Sequence, residues 1–212
     1  MMNILNKIYK NYRHPSGLLG RLIVRRMNGK QHAELAEWAL SEVELAHNAS
    51  IVDIGCGGGA TVARLLQMCP EGKVTGVDFA PAAVKIARGL NKEAIELGRC
   101  KILGGNAKML PLIKDVADLA TAFETIYYWP AFEECLAEVL RVLKPGGRFL
   151  IANNADGIDP IGEKWADQVG HMYIYTIDEL KTHLTDAGFI NITAQHDKEH
   201  HRICVIAEKP VE

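Results

Sequence analysis

A glycine-rich turn behind an apolar segment carries the clearest chemical signal in this chain. Residues 51–60 read IVDIGCGGGA, and a helical pattern continues from there to Met68. A strand, a glycine turn and a helix in this order let the backbone approach a nucleotide closely, because glycines adopt dihedral angles that a Cβ forbids. Asp53 ends the strand, and its carboxylate suits a cationic amine better than a pyrophosphate. The motif therefore favours a positively charged nucleoside cofactor over a nicotinamide dinucleotide.

A second acidic residue, Asp78, closes the next predicted strand, a little over twenty residues beyond the glycines. A carboxylate at this place can accept hydrogen bonds from both ribose hydroxyls of an adenosine. Dinucleotide-binding enzymes share this acid, so it predicts adenosine without selecting the cofactor. A plain helix cap before Pro81 is the alternative interpretation.

A third polar position follows the next predicted strand, where residues 104–107 read GGNA. The amide of Asn106 could pair with the edge of an adenine, since it offers both a donor and an acceptor. The same dipeptide is also typical of a simple turn. Both interpretations remain open from the residues alone.

These motifs, together with the LKPGG segment at 143–147, resemble the class I S-adenosylmethionine-dependent methyltransferases over roughly residues 50–208. The resemblance implies S-adenosylmethionine as methyl donor, S-adenosylhomocysteine as product and a small molecule as acceptor. It assigns Asp78 to the ribose hydroxyls and Phe79 to the flank of the adenine. This chain departs from the family pattern at Asn106, where many members have Asp. The predicted cofactor contacts are Asp53, Gly55, Cys56, Gly57, Gly59, Asp78, Phe79, Asn106, Ala107 and Phe123.

An aromatic segment, FETIYYWP at 123–130, follows the fourth predicted strand and marks the expected acceptor side. Ligands of open α/β sheets bind beyond the carboxyl ends of the strands, so the methyl group should point toward this segment. Glu124 could act as a general base or orient an amine; a purely structural carboxylate is the alternative. Aromatic faces can stabilise a sulfonium by cation–π contact, whereas core packing would explain the same rings. The predicted substrate contacts are Tyr127, Tyr128, Trp129 and Tyr173.

Two further segments could complete the site. Residues 165–175 could cover the acceptor, and His171 there is a second catalytic candidate because an imidazole titrates near neutral pH; a surface-loop histidine is the alternative. The N-terminal segment up to His32 could form a lid over the cofactor. The histidine-rich stretch at 196–201 alternates charges at a turn, which predicts a solvated loop and no metal site.

The elements that must hold these residues alternate between strand and helix. Alternation of this kind predicts an α/β fold, a Rossmann-like doubly wound sheet of seven strands with helices on both faces. The last two strands are joined too closely for a crossover helix, so the final strand should be antiparallel. We expect a helical N-terminal cap over 1–49 and the cofactor-binding domain over 50–212. The predicted strands are 51–54, 73–78, 101–104, 117–122, 148–153, 189–194 and 202–207, and the predicted helices 61–69, 81–97, 132–143 and 176–187.

The amino-acid composition indicates which kinds of partner and compartment the protein has. The 212 residues are 48% hydrophobic and 24% charged, as in a soluble globular domain. A net charge of −2 from 24 basic and 26 acidic residues predicts neither nucleic-acid nor membrane-surface binding. Five scattered cysteines without a CxxC pair predict a reducing compartment, the cytoplasm. The N-terminal residues predict no signal peptide, and no apolar run approaches the ~20 residues that span a bilayer.

Several alternatives to small-molecule methylation remain at this point. RNA or protein methylation, a non-catalytic S-adenosylmethionine-binding module and an NAD(P)-dependent oxidoreductase would each share part of the pattern. The helical N-terminal segment could also serve as a homodimer interface. The sequence does not select the acceptor or its nucleophilic atom.

Overall fold

A computed structural model of the chain describes residue 11 and residues 15–27, 29–159, 164 and 172–211. The strands are β1 (Ser50–Ile54), β2 (Lys73–Asp78), β3 (Cys100–Gly104), β4 (Ala117–Phe123), β5 (Leu143–Asn153), β6 (Ile190–Asp197) and β7 (Arg202–Glu208). The α-helices are α1 (Gly17–Met27), α2 (Lys30–Leu40), α3 (Ala60–Met68), α4 (Pro81–Leu90), α5 (Lys92–Glu96), α6 (Phe132–Val142) and α7 (Ile177–Asp186), with a 3-10 turn at Ile126–Tyr128. Within these ranges no helix has both the length and the apolar character needed to cross a bilayer.

The seven strands form one sheet in the order β3-β2-β1-β4-β5-β7-β6. β1 runs parallel to both β2 and β4, while β7 is antiparallel to β5 and β6. The predicted Rossmann-like doubly wound sheet with a reversed last strand is therefore confirmed. The strand order reverses between β1 and β4, and a crevice for a ligand opens at such a switch point, outside the carboxyl ends of the strands.

The hydrophobic core lies on both faces of this sheet. On one face, Phe149 of β5 packs with Leu136 of α6 and Leu180 of α7. On the other face, Leu119 of β4 belongs to a cluster with Leu65 of α3. Burial on two faces explains why the strand sequences read as nearly continuous apolar runs. It also fixes the strand ends that carry the polar side chains of the site.

The two helices before β1 pack on the same body. Leu35 and Ala39 of α2 are fully buried within the cluster that includes β1 and α3. Val24 of α1 contacts a smaller cluster with Ala80 and Ala83 at the start of α4. The division into a cap at 1–49 and a domain at 50–212 stays a prediction, and α2 shares its core with the sheet.

One predicted helix is divided in the structure. The prediction of a single helix over 81–97 is wrong, because α4 ends at Leu90 and α5 begins at Lys92. Asn91 lies between them, and its side-chain Nδ2 donates to the carbonyls of Ala87 and Gly59, at 3.0 Å each. An asparagine side chain that bonds backbone groups in this way competes with helical pairing.

The LKPGG segment at 143–147 forms the bulged start of β5. Leu143 already pairs with Ala117, and the register then shifts before Leu119. Gly146 has a left-handed φ of 73°, and its N–H donates to the carbonyl of Lys209 at 3.0 Å. Backbone pairing with the segment after β7 thus extends β5 five residues beyond the predicted start at 148.

Candidate active site

Gly55 forms the tightest part of the glycine turn after β1. Its φ is 78°, and a Cβ added there would lie 2.1 Å from Oγ1 of Thr125. The amides of Gly55 and Cys56 both donate to the carbonyl of Val77, at 2.7 and 3.0 Å. The turn is therefore held against β2 in a conformation that only glycine adopts without strain.

Gly57 faces open space. Its φ is 52°, and a Cβ added there would meet no atom of the described residues within 4 Å. Its N–H donates to Oδ2 of Asp78 at 2.9 Å. Because packing within the described chain does not demand a glycine here, the bare backbone is free for close approach of a ligand.

Asp53 is a buried carboxylate at the end of β1, with a side chain only 2% exposed. The hydroxyl of Thr121 donates to its Oδ1 at 2.7 Å. Burial raises the pKa of Asp53 from near 3.8 to about 7, the Thr121 hydrogen bond opposes this rise, and the nearby Asp78 adds to it. A cation placed beside Asp53 would restore the ionised form.

Asp78 ties the glycine turn to the start of α4. Its Oδ1 accepts the N–H of Ala80 at 2.8 Å, while Oδ2 accepts that of Gly57. Burial raises the pKa of Asp78, and these two backbone hydrogen bonds lower it. Each oxygen retains acceptor capacity, so support of the helix start and recognition of ribose hydroxyls are compatible.

A cavity of about 480 Å³ opens over the carboxyl ends of β1, β2 and β4. Its size falls in the range of small-ligand sites, which is on the order of 300–1,000 Å³. The predicted residues that line it are Asp53, Gly55, Cys56, Gly57, Asp78, Phe79, Asn106, Ala107, Phe123, Glu124, Tyr128 and Trp129. The structure thus brings most of the predicted cofactor contacts and part of the predicted substrate contacts to one place.

Gly59 lies beside this cavity but faces away from it. A Cβ at Gly59 would lie 2.6 Å from Nδ2 of Asn91 and 2.9 Å from the Cα of Ala87. Its φ of 81° is again left-handed. The residue therefore lets α3 approach α4, and its contact with the cofactor stays a prediction.

Glu124 is held in a fixed orientation at the end of β4. Its Oε1 accepts the hydroxyl of Tyr127 at 2.9 Å and the N–H of Asn154. Its own N–H donates to the carbonyl of Ala152 at 3.0 Å, and its φ of 56° is unusual for a residue with a Cβ. Two hydrogen bonds thus fix the carboxyl of Glu124, and the residue lines the cavity.

Tyr127 and Tyr173 do not line the cavity. Tyr127 is 5% exposed, and burial together with the charge of Glu124 raises its pKa well above the usual value. Tyr173 is exposed, and its hydroxyl donates to Glu179 at 2.7 Å. Both rings therefore lie in supporting positions outside the cavity, and their contact with substrate stays a prediction. His171 lies outside the described residues.

Trp129 and Asn106 each have a structural role and also line the cavity, so both alternatives from the sequence apply to them. The Trp129 ring stacks on Phe149 with centroids 6.1 Å apart, yet Trp129 also lines the cavity. Oδ1 of Asn106 accepts the N–H of Lys108 at 3.0 Å, as in a turn, and the residue lies on the cavity wall. Neither structural role removes these residues from the site.

Three histidines near the β6–β7 turn pair with acidic side chains. Nε2 of His196 and Nδ1 of His201 both lie 3.0 Å from Oδ2 of Asp156, which is 3% exposed. Nδ1 of His200 lies 2.8 Å from Asp197. The turn residues 198–201 are exposed, as predicted for a solvated loop, while Asp156 pairs with His196 and His201 at its edge. No group of three or more His, Cys, Asp or Glu suited to a metal occurs among the described residues.

Comparisons with known proteins agree with this geometry. The methyltransferase domain family matches residues 52–151. The chain is 32% identical over 123 residues to the sterol 4-C-methyltransferase strm-1 of Caenorhabditis elegans, covering 57% of this chain and 34% of that protein. It is 30% identical over 164 residues to an O-methyltransferase of Pyrenophora dematioidea, covering 75% and 61%. A crystal structure of a SAM-dependent methyltransferase from Aquifex aeolicus superposes with a TM-score of 0.74 at 20% identity, covering 89% and 98%.

The chain carries a class I S-adenosylmethionine-dependent methyltransferase domain over residues 52–151. It spans about a third of the length of the first relative and about three fifths of the second. The resemblance drawn from the sequence motifs is confirmed, and so is S-adenosylmethionine as the cofactor.

The residues of this methyltransferase fit its cofactor. S-adenosylmethionine combines an adenosine, a sulfonium and an α-amino acid, and the cavity presents two buried carboxylates to its positive and hydroxyl groups. The open side of Gly57 leaves room at the turn that a Cβ would fill. Burial of Asp53 without a cation raises its pKa to about 7, and a bound ammonium would supply the missing counter-charge.

Several residues of the candidate site were not predicted from the sequence. Thr121 orients Asp53 from the neighbouring strand, and Thr125 covers Gly55. Asn91 joins α4 to the glycine turn from the far end of that helix. Arg64 and Gln67 of α3 line the cavity. Thr121 and Asn91 lie in none of the motifs, because each acts through a contact between segments that are distant in the sequence.

Proposed function

We propose that this methyltransferase moves the methyl group of S-adenosylmethionine to a small-molecule acceptor that enters the same cavity. One observation carries the proposal: Asp53, Asp78 and the open Gly57 share a single cavity with Glu124, Tyr128 and Trp129. We call the side of the cavity with Asp53, Asp78 and Gly57 the donor half. It continues into an acceptor half, where two aromatic rings and the carboxyl of Glu124 line the wall.

The donor half assigns a partner to each part of the cofactor. Asp53 binds the ammonium of the aminoacyl end, and Asp78 accepts the ribose hydroxyls. The adenine lies between the exposed ring of Phe79 and the turn that carries Asn106 and Ala107. These assignments place the sulfonium above the carboxyl ends of β1 and β4, next to Phe123.

Methyl transfer from a sulfonium is an in-line displacement with a donor that is already activated. The protein accelerates it mainly by holding the acceptor behind the methyl group and by excluding water. Tyr128 and Trp129 form the wall that can do both, and their faces favour positive charge. A general base is needed only when the nucleophile carries a proton.

Glu124 supplies such a group for a hydroxyl or amine acceptor. The Tyr127 hydroxyl and the Asn154 amide fix Oε1, which leaves Oε2 available to the cavity. That oxygen would orient the nucleophile and receive its proton. His171 remains a second candidate for this task from the sequence alone.

The names of the relatives support a small acceptor. One is a sterol methyltransferase and another an O-methyltransferase. The net charge of −2 offers no field for nucleic acid. A reducing location such as the cytoplasm is supported by five free cysteines, all of them buried. A homodimer through the N-terminal helices stays a prediction.

Calorimetric titration separates the proposal from its alternatives. S-adenosylhomocysteine should bind with a single site, and NADH should give no binding heat. Incubation with methyl-labelled S-adenosylmethionine and pools of small metabolites should then yield a labelled acceptor. Firm binding of NADH without S-adenosylhomocysteine would contradict the proposal, and cofactor binding without transfer to any pool would favour a non-catalytic module.

A further inference from the structure

The described cavity wall carries more acidic than basic side chains. Among the described residues that line it, Asp53, Asp78 and Glu124 carry carboxylates, while Arg64 is the one side chain with a permanent positive charge. S-adenosylmethionine brings two positive groups, the sulfonium and the ammonium, and one carboxylate. The positive groups meet acidic side chains in the arrangement proposed above. The carboxylate requires a cation, because a charge removed from water is costly unless it is paired.

Arg64 lies on the correct part of the wall for this role. It sits in the second turn of α3, which begins directly after the glycine turn. Ala60, Ala63 and Gln67 share its face of the helix and also line the cavity, whereas Val62 and Leu65 point into the core. The ammonium and carboxylate of an α-amino acid are attached to one carbon, so their partners must lie near each other. One strand–turn–helix unit carries both Asp53 and Arg64.

The present partner of Arg64 can be exchanged. Its Nη2 lies 2.9 Å from Oε1 of Glu37 on α2, and the Glu37 side chain is 67% exposed against 25% for Arg64. An ion pair with a solvent-exposed carboxylate contributes little to the stability of the fold. The Glu37 side chain can therefore rotate away from Arg64 into solvent. A guanidinium has five N–H donors arranged to hold a carboxylate through two hydrogen bonds. The ligand carboxylate can therefore replace Glu37 on this guanidinium.

We infer that Arg64 binds the carboxylate of S-adenosylmethionine in competition with Glu37. The inference rests on the proposed function, which supplies the ligand and its orientation. It makes Arg64 the residue that recognises the amino-acid end as a zwitterion, together with Asp53. It also links the cofactor to α2, because binding releases an ion pair between α2 and α3.

Decarboxylated S-adenosylmethionine provides the decisive probe, since it keeps the ammonium, sulfonium and adenosine and lacks only the carboxylate. Calorimetric dissociation constants are measured for this probe and for S-adenosylmethionine. The Arg64→Gln variant should weaken binding of S-adenosylmethionine by about 10- to 100-fold, the range of a hydrogen-bonded charge. It should leave binding of the decarboxylated probe nearly unchanged.

Two further variants make the test specific. Glu37→Gln removes the competing carboxylate. The dissociation constant of S-adenosylmethionine should therefore fall severalfold, while that of the decarboxylated probe should stay unchanged. Lys92→Gln removes the same charge from an exposed side chain on α5 that does not line the cavity. It should change neither dissociation constant. Thermal unfolding confirms that each variant is folded, and the Glu37→Gln result stands even if Arg64→Gln does not fold.

The possible results distinguish a failure of the inference from a failure of the proposed function. An equal loss for both ligands in Arg64→Gln, or no loss for either, would overturn the inference, as would a Glu37→Gln variant that fails to tighten S-adenosylmethionine. In each of these cases binding to the unaltered protein leaves the proposed function standing. Failure of the unaltered protein to bind either ligand would instead overturn the proposed function.

Discussion

Asp53 and Thr121 lie opposite each other on the parallel strands β1 and β4, and the Thr121 hydroxyl donates to Oδ1 of Asp53 at 2.7 Å. Both side chains are buried. Thr121 is therefore the group that holds the carboxyl in place and opposes the rise of its pKa caused by burial. We therefore expect this pair to set the pH at which the cavity offers a negative charge to a cationic ligand.

The first prediction concerns the pH dependence of cofactor binding. Asp53 has a pKa of about 7 in the ligand-free protein, so affinity for S-adenosylmethionine should rise as pH rises through 7 and the carboxylate forms. In Thr121→Val the opposing hydrogen bond is lost, and the pKa of Asp53 should rise further. Titrations between pH 6 and 9 should show the affinity increase displaced to higher pH. A profile identical to that of the unaltered protein would remove Thr121 from this role.

The second prediction concerns stability. A carboxyl with a raised folded-state pKa retains its proton while the unfolded chain ionises, so it lowers stability as pH rises from about 4 to 7. The rise of the Asp53 pKa from 3.8 to about 7 corresponds to at most about 4 kcal/mol of unfolding free energy. Asp53→Asn should therefore unfold at a higher temperature than the unaltered protein at pH 8, with little difference at pH 4. The same variant should lose cofactor affinity, and lower stability at pH 8 would contradict the account.

The third prediction compares two glycines of one turn. Gly57→Ala places a Cβ in open space at a left-handed φ, so it should cost only about 1–2 kcal/mol of unfolding free energy but weaken cofactor binding strongly. Gly55→Ala pays the same backbone cost and also drives its Cβ into Thr125. Its unfolding temperature should be clearly the lower of the two. Equal cofactor affinity of Gly57→Ala and the unaltered protein would show that the ligand lies elsewhere.

The fourth prediction concerns the orientation of Glu124. Tyr127→Phe removes the hydroxyl that Glu124 accepts at 2.9 Å, and stability should fall by about 0.5–1.5 kcal/mol. Once an acceptor is known, kcat should fall while the dissociation constant of S-adenosylmethionine stays unchanged. Tyr173→Phe is the matched control, because its hydroxyl bonds Glu179 outside the cavity. A control variant that loses as much activity would rule out a specific effect through Glu124.

The fifth prediction concerns Asp156, which binds His196 and His201 at the β6–β7 turn. Although its burial acts in the opposite direction, the hydrogen bonds from His201, the backbone and His196 lower the pKa of Asp156 from 3.8 to about 2. A depressed carboxyl contributes stability above its unfolded pKa near 4 and loses it as pH falls toward 2. Asp156→Asn should thus lose about 2 kcal/mol of unfolding free energy at pH 6, and much less at pH 2.

The pKa of His201 is raised chiefly by its hydrogen bond with Asp156. Its contribution is therefore complete below the ordinary histidine pKa and is lost as pH rises through the raised value. Denaturant unfolding of Asp156→Asn at pH 2, 6 and 9 checks both signs. An equal deficit at all three pH values would show that Asp156 acts only by packing.

The sequence sufficed for the parts of the site that a single strand–turn–helix unit encodes. Asp53, Gly55 and Gly57 follow one another within five residues, and the alternation of elements fixes the edge of the sheet where they meet Asp78. Residues that act across the fold left no such pattern. Thr121 is 68 positions from Asp53, and Asn91 is 32 positions from the carbonyl it holds at Gly59.

Local propensity also misjudged two element boundaries for physical reasons. The helical pattern continues through Asn91, but the asparagine amide bonds two backbone carbonyls and divides the helix. LKPGG has the composition of a turn, yet backbone bonds to Lys209 draw it into β5. In both cases a tertiary contact overrides the local preference.

The most direct test of the central claim is a crystal structure with S-adenosylhomocysteine bound. The account predicts the ligand ammonium at hydrogen-bonding distance, about 2.7–3.2 Å, from Asp53, with the ribose hydroxyls on Asp78 and the backbone of Gly57 against the ligand. An Asp53 carboxyl that points away from the ligand, or a diphosphate group seated on the glycine turn, would contradict it.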